Sequence, residues 1–260
     1  MSSTDPYLVE AVWYDVLWAG LNRLDLPFYL SVADEYGGTL LELGCGTGRV
    51  LLPCLKPAGE VVGVDSSPSM LVEARARIAA EGLDGAAVRL VEADLREVRL
   101  DRRFPLVIMA GQPLFHMRTD EDWMAALDTV REHLAPGGRW ATGVPVPRFD
   151  VMAKYHERPY FVCELRHPHT GQRVAIWDYN TYDVAEQSIT RRRVTETLDE
   201  DGVVLDRRHT LNTNYYRYPG EVRRLIGAAG FRIEHEYGGY ARQPFGPDSE
   251  HLVWIAVAGG

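Results

Sequence analysis

The sequence predicts an α/β protein: a doubly wound, seven-stranded sheet that ends in an antiparallel strand pair and carries a β-rich insertion after its fifth strand. Three observations predict it. Between Leu40 and about Pro145, short apolar runs alternate with longer helical stretches, the pattern of βαβ units. Between Tyr160 and Asn214 the chain turns to runs of β-branched and aromatic residues broken by turn residues. Beyond Pro219 a helical stretch precedes two further apolar runs.

The parallel strands are expected at Leu40–Leu43, Val61–Val64, Val88–Val91, Leu106–Met109 and Trp140–Val144, all in central positions. Ser66-Ser67-Pro68 supplies a capping serine and an early proline for a helix over Met70–Ala80. Thr119-Asp120 opens an amphipathic helix over Trp123–Leu134, which Pro136-Gly137-Gly138 is expected to stop. Turn residues at Thr170-Gly171, Ala185-Glu186 and Asp199–Gly202 divide the insertion into antiparallel strands. A helix over Pro219–Gly230 then leads to the final pair, Phe231–Tyr237 and Leu252–Val257. With no internal repeat or low-complexity linker, 1–260 reads as one domain. Its parts are an N-terminal helical cap (1–37), a ligand-binding core (38–146), the insertion (147–217), and a C-terminal helix and strand pair (218–260).

A chain of 260 residues with 46% hydrophobic and 25% charged residues has ordinary globular composition, which excludes disordered and fibrous classes. Its net charge of −9 argues against phosphate backbones and anionic lipid, so a small-molecule acceptor is expected, with no nucleic acid and no membrane. Three cysteines without CxxC spacing favour neither a disulfide framework nor a zinc site, and no metal is expected. The first residues lack a basic segment followed by an apolar run, so the cytoplasm is the expected compartment.

The strongest local signal is Leu40-Leu41-Glu42-Leu43-Gly44-Cys45-Gly46-Thr47-Gly48-Arg49, three alternating glycines where a strand meets a helix. Glycine tolerates φ > 0 and lets a ligand approach the backbone, and a helix N-terminus offers free N–H groups. A dinucleotide site requires a third glycine where this chain has Arg49. That glycine serves close packing beneath a pyrophosphate. S-adenosylmethionine (SAM) has none, so the GxGxG spacing favours SAM. Asp65, seventeen residues beyond Gly48, ends the second strand where a carboxylate can accept both hydrogen bonds of a ribose diol; capping the next helix is its alternative use. Asp94, after the third strand, is placed to accept from an adenine amino group while Leu95 offers its backbone N–H. Met70 is placed to pack on the adenine face or to serve as core.

Together these residues resemble the successive SAM-binding motifs of the class I, Rossmann-like methyltransferases, over roughly residues 38–145 and the terminal strand pair. The resemblance implies SAM as methyl donor and S-adenosylhomocysteine as product. It also implies that Glu42 holds the donor's ammonium group, and that the cofactor site takes in Gly44, Cys45, Gly46, Gly48, Asp65, Ser66, Met70, Asp94, Leu95 and Ala110. A narrower resemblance, to glycine N-methyltransferase and to nucleotide-sugar N,N-dimethyltransferases, rests on three features. These are Tyr14-Asp15 ahead of the core, the insertion, and Ala228-Ala229-Gly230-Phe231-Arg232-Ile233. It implies Tyr14 against the sulfonium or the acceptor, with anchoring beside Trp13 and Trp18 as the alternative, and Arg23 near the cofactor carboxylate.

Methyl transfer from a sulfonium is a direct displacement, so the protein must chiefly align an acceptor lone pair and exclude water. His116 follows strand four at the carboxyl edge of the sheet, where it either acts as a base or lines the pocket, and Gln112 and Phe115 share its loop. Trp177 and Tyr179 of the insertion, with Asp178, Asn180 and Tyr182, are expected to contact the acceptor. The run Arg191-Arg192-Arg193 reads as a solvated face or a homodimer contact, with contact to a phosphate-bearing acceptor as the alternative, and alternation sends Arg192 to the side opposite its neighbours. The expected reaction is methyl transfer to nitrogen or oxygen of a small molecule such as an amino sugar. A non-catalytic SAM-binding scaffold and a protein or RNA methyltransferase are the alternatives.

Overall fold

Alternation along the apolar runs decides the layering. In the computed structural model of the chain, which describes residues 7–8, 10–18, 24–83 and 87–259, Leu41, Leu43, Val62, Val64, Val107 and Met109 bury into one apolar cluster. Leu40, Val61, Leu106 and Ile108 bury into another. Successive residues of a strand face opposite ways, so the clusters are the two faces of one sheet. Its first five strands are β1 (Leu40–Leu43), β2 (Val61–Asp65), β3 (Val88–Glu92), β4 (Phe104–Met109) and β5 (Leu134–Pro145). The insertion adds β6 (Pro159–Arg166), β7 (Arg173–Asp183), β8 (Ser188–Leu198) and β9 (Val204–Tyr215). The chain closes with β10 (Phe231–Tyr237) and β11 (His251–Ala258).

The large sheet runs β10-β11-β5-β4-β1-β2-β3, with β11 antiparallel to its two neighbours, β5 and β10, and the other strands parallel to one another. The two βαβ halves diverge between β1 and β4, and ligands enter such sheets at the carboxyl ends beside that switch point. Helices Leu26–Tyr36 and Leu51–Ala58 cover one face. Helices Asp120–His133 and Pro219–Ala228 cover the other, where Trp123, Trp140 and Trp254 are all but inaccessible.

Two expectations are corrected. β3 is an edge strand, not a central one: Arg89 and Glu92 stay exposed, as befits a strand with one open side. Strand five begins at Leu134 rather than Trp140, because the helix before it already ends at His133. Pro136-Gly137-Gly138 forms a bulge inside the strand, between the pairs Phe104–Leu134 and Leu106–Arg139, instead of stopping the helix. The capping signal is realised as a reciprocal pair. Thr119 Oγ1 accepts the Asp122 N–H at 3.2 Å, and the Asp122 carboxylate accepts the Thr119 N–H at 3.3 Å.

The insertion folds as a separate antiparallel meander, β6-β7-β8-β9, preceded by a helix over Phe149–Tyr155 that the sequence pattern did not reveal. Its inner face holds Arg193, only 1% exposed, in a two-pronged pair with Asp178 (2.7 Å on each prong) and a contact to Glu10 at 3.1 Å. The solvated reading of the arginine run therefore fails for Arg193. Neighbouring strands and the N-terminal segment bury it, and carboxylates on both sides hold it. A second such pair ties the cap to the core: Arg49, just past the glycine loop, forks onto Asp25 with both contacts at 2.7 Å. Among the described residues no helix is long and apolar enough to cross a membrane.

Removing one member of a buried ion pair strands the other, at about 3–5 kcal/mol. Asp25→Ala is expected to lose stability on that scale in urea unfolding, and Asp25→Leu with Arg49→Met to recover most of it. A loss under about 1 kcal/mol in the single variant would show that solvent reaches the pair.

Candidate active site

The carboxyl end of β1 breaks into the glycine loop because its backbone turns left-handed. Gly44 has φ +80°, and a Cβ there would lie 2.8 Å from Pro113 of the strand-four loop. Gly46 has φ +53° and donates its N–H to Asp65 Oδ2 at 2.7 Å. The other oxygen of Asp65 accepts the Ser67 N–H at 2.8 Å, so this one carboxylate fixes the loop to the end of β2. The helix cap itself is Ser67, whose hydroxyl accepts from the Met70 N–H at 3.2 Å.

These elements enclose a cavity of about 270 Å³ lined by Glu42, Gly44, Cys45, Gly46, Asp65, Ser66, Met70, Asp94, Leu95, Ala110, His116 and Tyr14. A second, of about 130 Å³, opens beside it and is lined by Gln112, Phe115, Trp18, Arg191, Asn212 and Asn214. Tyr7, Tyr14, Gly111 and His116 belong to both. The four-residue junction thus stands between a larger chamber floored by the glycine loop and a smaller one roofed by the insertion.

Electrostatics separates the two chambers. Glu42 is 2% exposed, and burial pushes its carboxyl well above the usual carboxylate range against the opposing charge of Arg49. Its Oε2 has no hydrogen-bond partner among the described residues. Arg96 grips Asp94 and holds its carboxyl below the usual range, so Asp94 remains an anionic acceptor. At the junction, burial raises the Tyr14 hydroxyl to about 12, which keeps it protonated at neutral pH. Burial, and after it the charge of Arg191, lowers His116 below 6.5. His116 is therefore neutral at pH 7, with Nε2 2.9 Å from the Tyr7 hydroxyl. The N-terminal segment that carries both tyrosines is held over the chambers from below as well: Asp15 accepts from Thr47 at 2.6 Å and from Arg77 at 3.0 Å.

Most of the residues singled out in the sequence meet here, and the exceptions have physical reasons. Gly48 lines neither chamber; its N–H closes the turn onto Cys45 O at 2.9 Å, and its Cα packs toward Leu52. Trp177 and Tyr179, expected as acceptor contacts, line neither chamber, since alternation turns them to the outer face of the insertion. There Trp177 packs on Phe161 and bonds Glu196, and Arg192 lies over Tyr179. Arg23 lies outside the described residues. Sequence reasoning missed Tyr7, Thr47, Arg96, Asn212 and Asn214. Only the strand alternation around the arginine run carried a signal for any of them, because Asn212 pairs directly with Arg191.

The donor set fits SAM on observations internal to the protein. A buried carboxylate oxygen without a partner suits an ammonium group, Asp65 offers acceptor oxygens at the end of β2, and Gly44 and Gly46 leave backbone bare along the floor. Comparison with known proteins points the same way. The methyltransferase-domain family profile matches residues 40–138. The dTDP-3-amino-3,4,6-trideoxy-alpha-D-glucopyranose N,N-dimethyltransferase of Streptomyces venezuelae is 34% identical over 232 residues, spanning 87% of this chain and 91% of its own. Among solved structures, a SAM-dependent methyltransferase from Clostridium acetobutylicum superposes with a TM-score of 0.79 at 16% identity, covering 96% and 97% of the two chains. The SAM-bound amino pentose methyltransferase CalS10 from Micromonospora echinaspora gives 0.66 at 22% identity, covering 94% and 90%.

An unpartnered buried carboxylate costs stability in the free protein and gains an ion pair in the loaded one. Glu42→Gln is therefore expected to leave the urea midpoint equal or higher while weakening SAM binding about tenfold or more by calorimetry. Unchanged SAM affinity would remove Glu42 from the ammonium site.

Proposed function

The chain belongs to the class I SAM-dependent methyltransferases, and from that premise we propose that it methylates the amino nitrogen of a sugar or similar small specialised metabolite. The observation that carries the proposal is the shared junction. Among the described residues, a small polar chamber and the larger cavity share Tyr7, Tyr14, Gly111 and His116, which is where an acceptor would face a methyl group. The acceptor in the name of the S. venezuelae relative, a dTDP-linked amino sugar, supports the nitrogen choice.

In this reading Glu42 holds the ammonium group of SAM, Asp65 the ribose, and Asp94 with Leu95 the adenine, while Gly44, Cys45 and Gly46 form the shelf for the methionine portion. SAM supplies an electrophilic methyl group on its sulfonium. The acceptor nitrogen attacks that carbon in line, and the sulfur keeps the bonding pair as it leaves. Tyr14 and Tyr7, both protonated, orient the attacking amine through hydroxyl and ring, and the N-terminal segment excludes water. Neutral His116, kept in its base form at pH 7 by burial, accepts the proton that the new ammonium sheds and releases it to solvent. Gln112 and Phe115 position the ring of the acceptor from the same loop.

The chamber of about 130 Å³ and the net charge of −9 favour a small acceptor over nucleic acid or protein. We assign a homodimer contact to the outer face of the insertion, where Phe161, Trp177 and Leu211 are exposed, and place the chain, with its three free thiols, in the cytoplasm. Sedimentation equilibrium should read twice the chain mass of 29.3 kDa, and cell fractionation should recover the protein in the cytosolic fraction. A monomer mass or a particulate location would remove the corresponding assignment.

With a panel of amino sugars and hydroxylated metabolites, mass spectrometry should detect N-methyl products and S-adenosylhomocysteine. Products methylated on oxygen alone would overturn the nitrogen assignment. Because His116 is held below 6.5, its base form persists at neutral pH and is lost only on acidification, so the acid limb of kcat/KM should lie below 6.5. His116→Gln should remove that limb and lower kcat by about 100-fold. Unchanged turnover would reject it as the proton acceptor.

A further inference from the structure

Arg191 projects from β8 into the smaller chamber beside Asn212, its direct partner on β9, and Asn214, two residues along the same face. Its side chain is 16% exposed, and its Nε is fully enclosed without a hydrogen-bond partner among the described residues. A guanidinium offers five N–H donors and loses their hydration on burial, so such groups are ordinarily matched by acceptor oxygens. The neighbouring carboxylate does not supply them. Glu10 stands 3.7 Å from Arg191, beyond hydrogen-bond reach, and its oxygens are taken by Arg193 at 3.1 Å and Thr210 at 3.2 Å. Trp18 offers only its ring face, 5.9 Å away. The chamber therefore holds an ordered cation with donors to spare, flanked by two side-chain amides, on the insertion side of the junction.

We propose that Arg191, with Asn212 and Asn214, docks an anionic oxygen group, a phosphate or a carboxylate, that the acceptor carries away from its reacting nitrogen. A planar fork matches either anion in two-pronged fashion, and amide N–H groups complete the remaining lone pairs. The reacting nitrogen is then held at a fixed distance from its anchor and presented to Tyr14 and His116, so the group selects acceptors by charge and length. The proposal rests on reading the smaller chamber as the acceptor site.

The test uses the full chain saturated with S-adenosylhomocysteine, whose binding is established first. Glucosamine, glucosamine 1-phosphate and muramic acid, which share an amino sugar but carry no anion, a phosphate and a carboxylate, are titrated by calorimetry. At least one anionic probe should bind about ten- to hundredfold more tightly than glucosamine, and which of them does so identifies the anion. Arg191→Gln should abolish that advantage, Arg191→Lys should keep part of it, and Asn212→Ala should reduce it less. Retained S-adenosylhomocysteine affinity reports that each variant is folded. Equal affinity for all three probes, or an advantage that survives both Arg191→Gln and Asn212→Ala, would overturn the docking role. Binding of glucosamine with both anionic probes rejected overturns docking but leaves the methyl-transfer reading intact. Rejection of all three overturns docking and the amino-sugar reading together.

Discussion

A charge buried in protein must find a counter-charge or hydrogen bonds, and this constraint organises the molecule around its cleft. Arg49 is matched by Asp25, and Arg193 by Asp178 and Glu10. These pairs fasten the N-terminal segment to the core on one side and to the insertion on the other. Glu42 and Arg191 lie next to those networks, yet each keeps an enclosed polar atom unpartnered among the described residues, and each faces a chamber. Their signs are opposite. The carboxyl group stands in the cavity floored by the glycine loop and the guanidinium in the one roofed by the insertion, which in the proposed reading separates the methyl donor from the acceptor.

The sheet supplies rigidity and the added elements supply selectivity. Backbone at the ends of β1, β2 and β4 is fixed by ladder bonds and by the Asp65 clasp on the glycine loop, so the donor side is built from the most constrained part of the chain. The acceptor side combines a short 3-10 turn over Pro113–His116, the N-terminal segment and β8–β9. Side chains there can change without disturbing the sheet, and loops and insertions are where binding differences accumulate on a shared scaffold. The tyrosines and His116 at the junction line both chambers, so in the proposed reading one small set of groups faces the donor and the acceptor at once.

What the sequence made legible follows the range of the interactions. Strand and helix positions depend on local periodicity, and the glycine loop, Asp65 and Asp94 sit at strand ends that periodicity locates. The residues around the larger chamber were therefore legible as neighbours almost one by one. Strand order was not: β3 reads as buried from its valines and leucine, while its place at the edge depends on which strands pair elsewhere. The outward orientation of Trp177 and Tyr179 was hidden for a related reason. Alternation says that they share a face but not which face meets the core, and the answer comes from Arg193, paired with Asp178, burying against Glu10, 183 residues distant in the chain. Arg191 lay in a run that resembles a solvated stripe. Only the position of the N-terminal segment, set by Asp15 and Glu10, shows that it is enclosed.

A crystal structure of the chain with S-adenosylhomocysteine tests the central claim most directly. The ligand's amino nitrogen should lie about 3 Å from Glu42 Oε2, its ribose hydroxyls on Asp65, and its sulfur toward Tyr14 and His116 at the junction. A ligand seated in the smaller chamber, or one whose amino group turns from Glu42 to solvent, would contradict the assignment of donor and acceptor to their two sites.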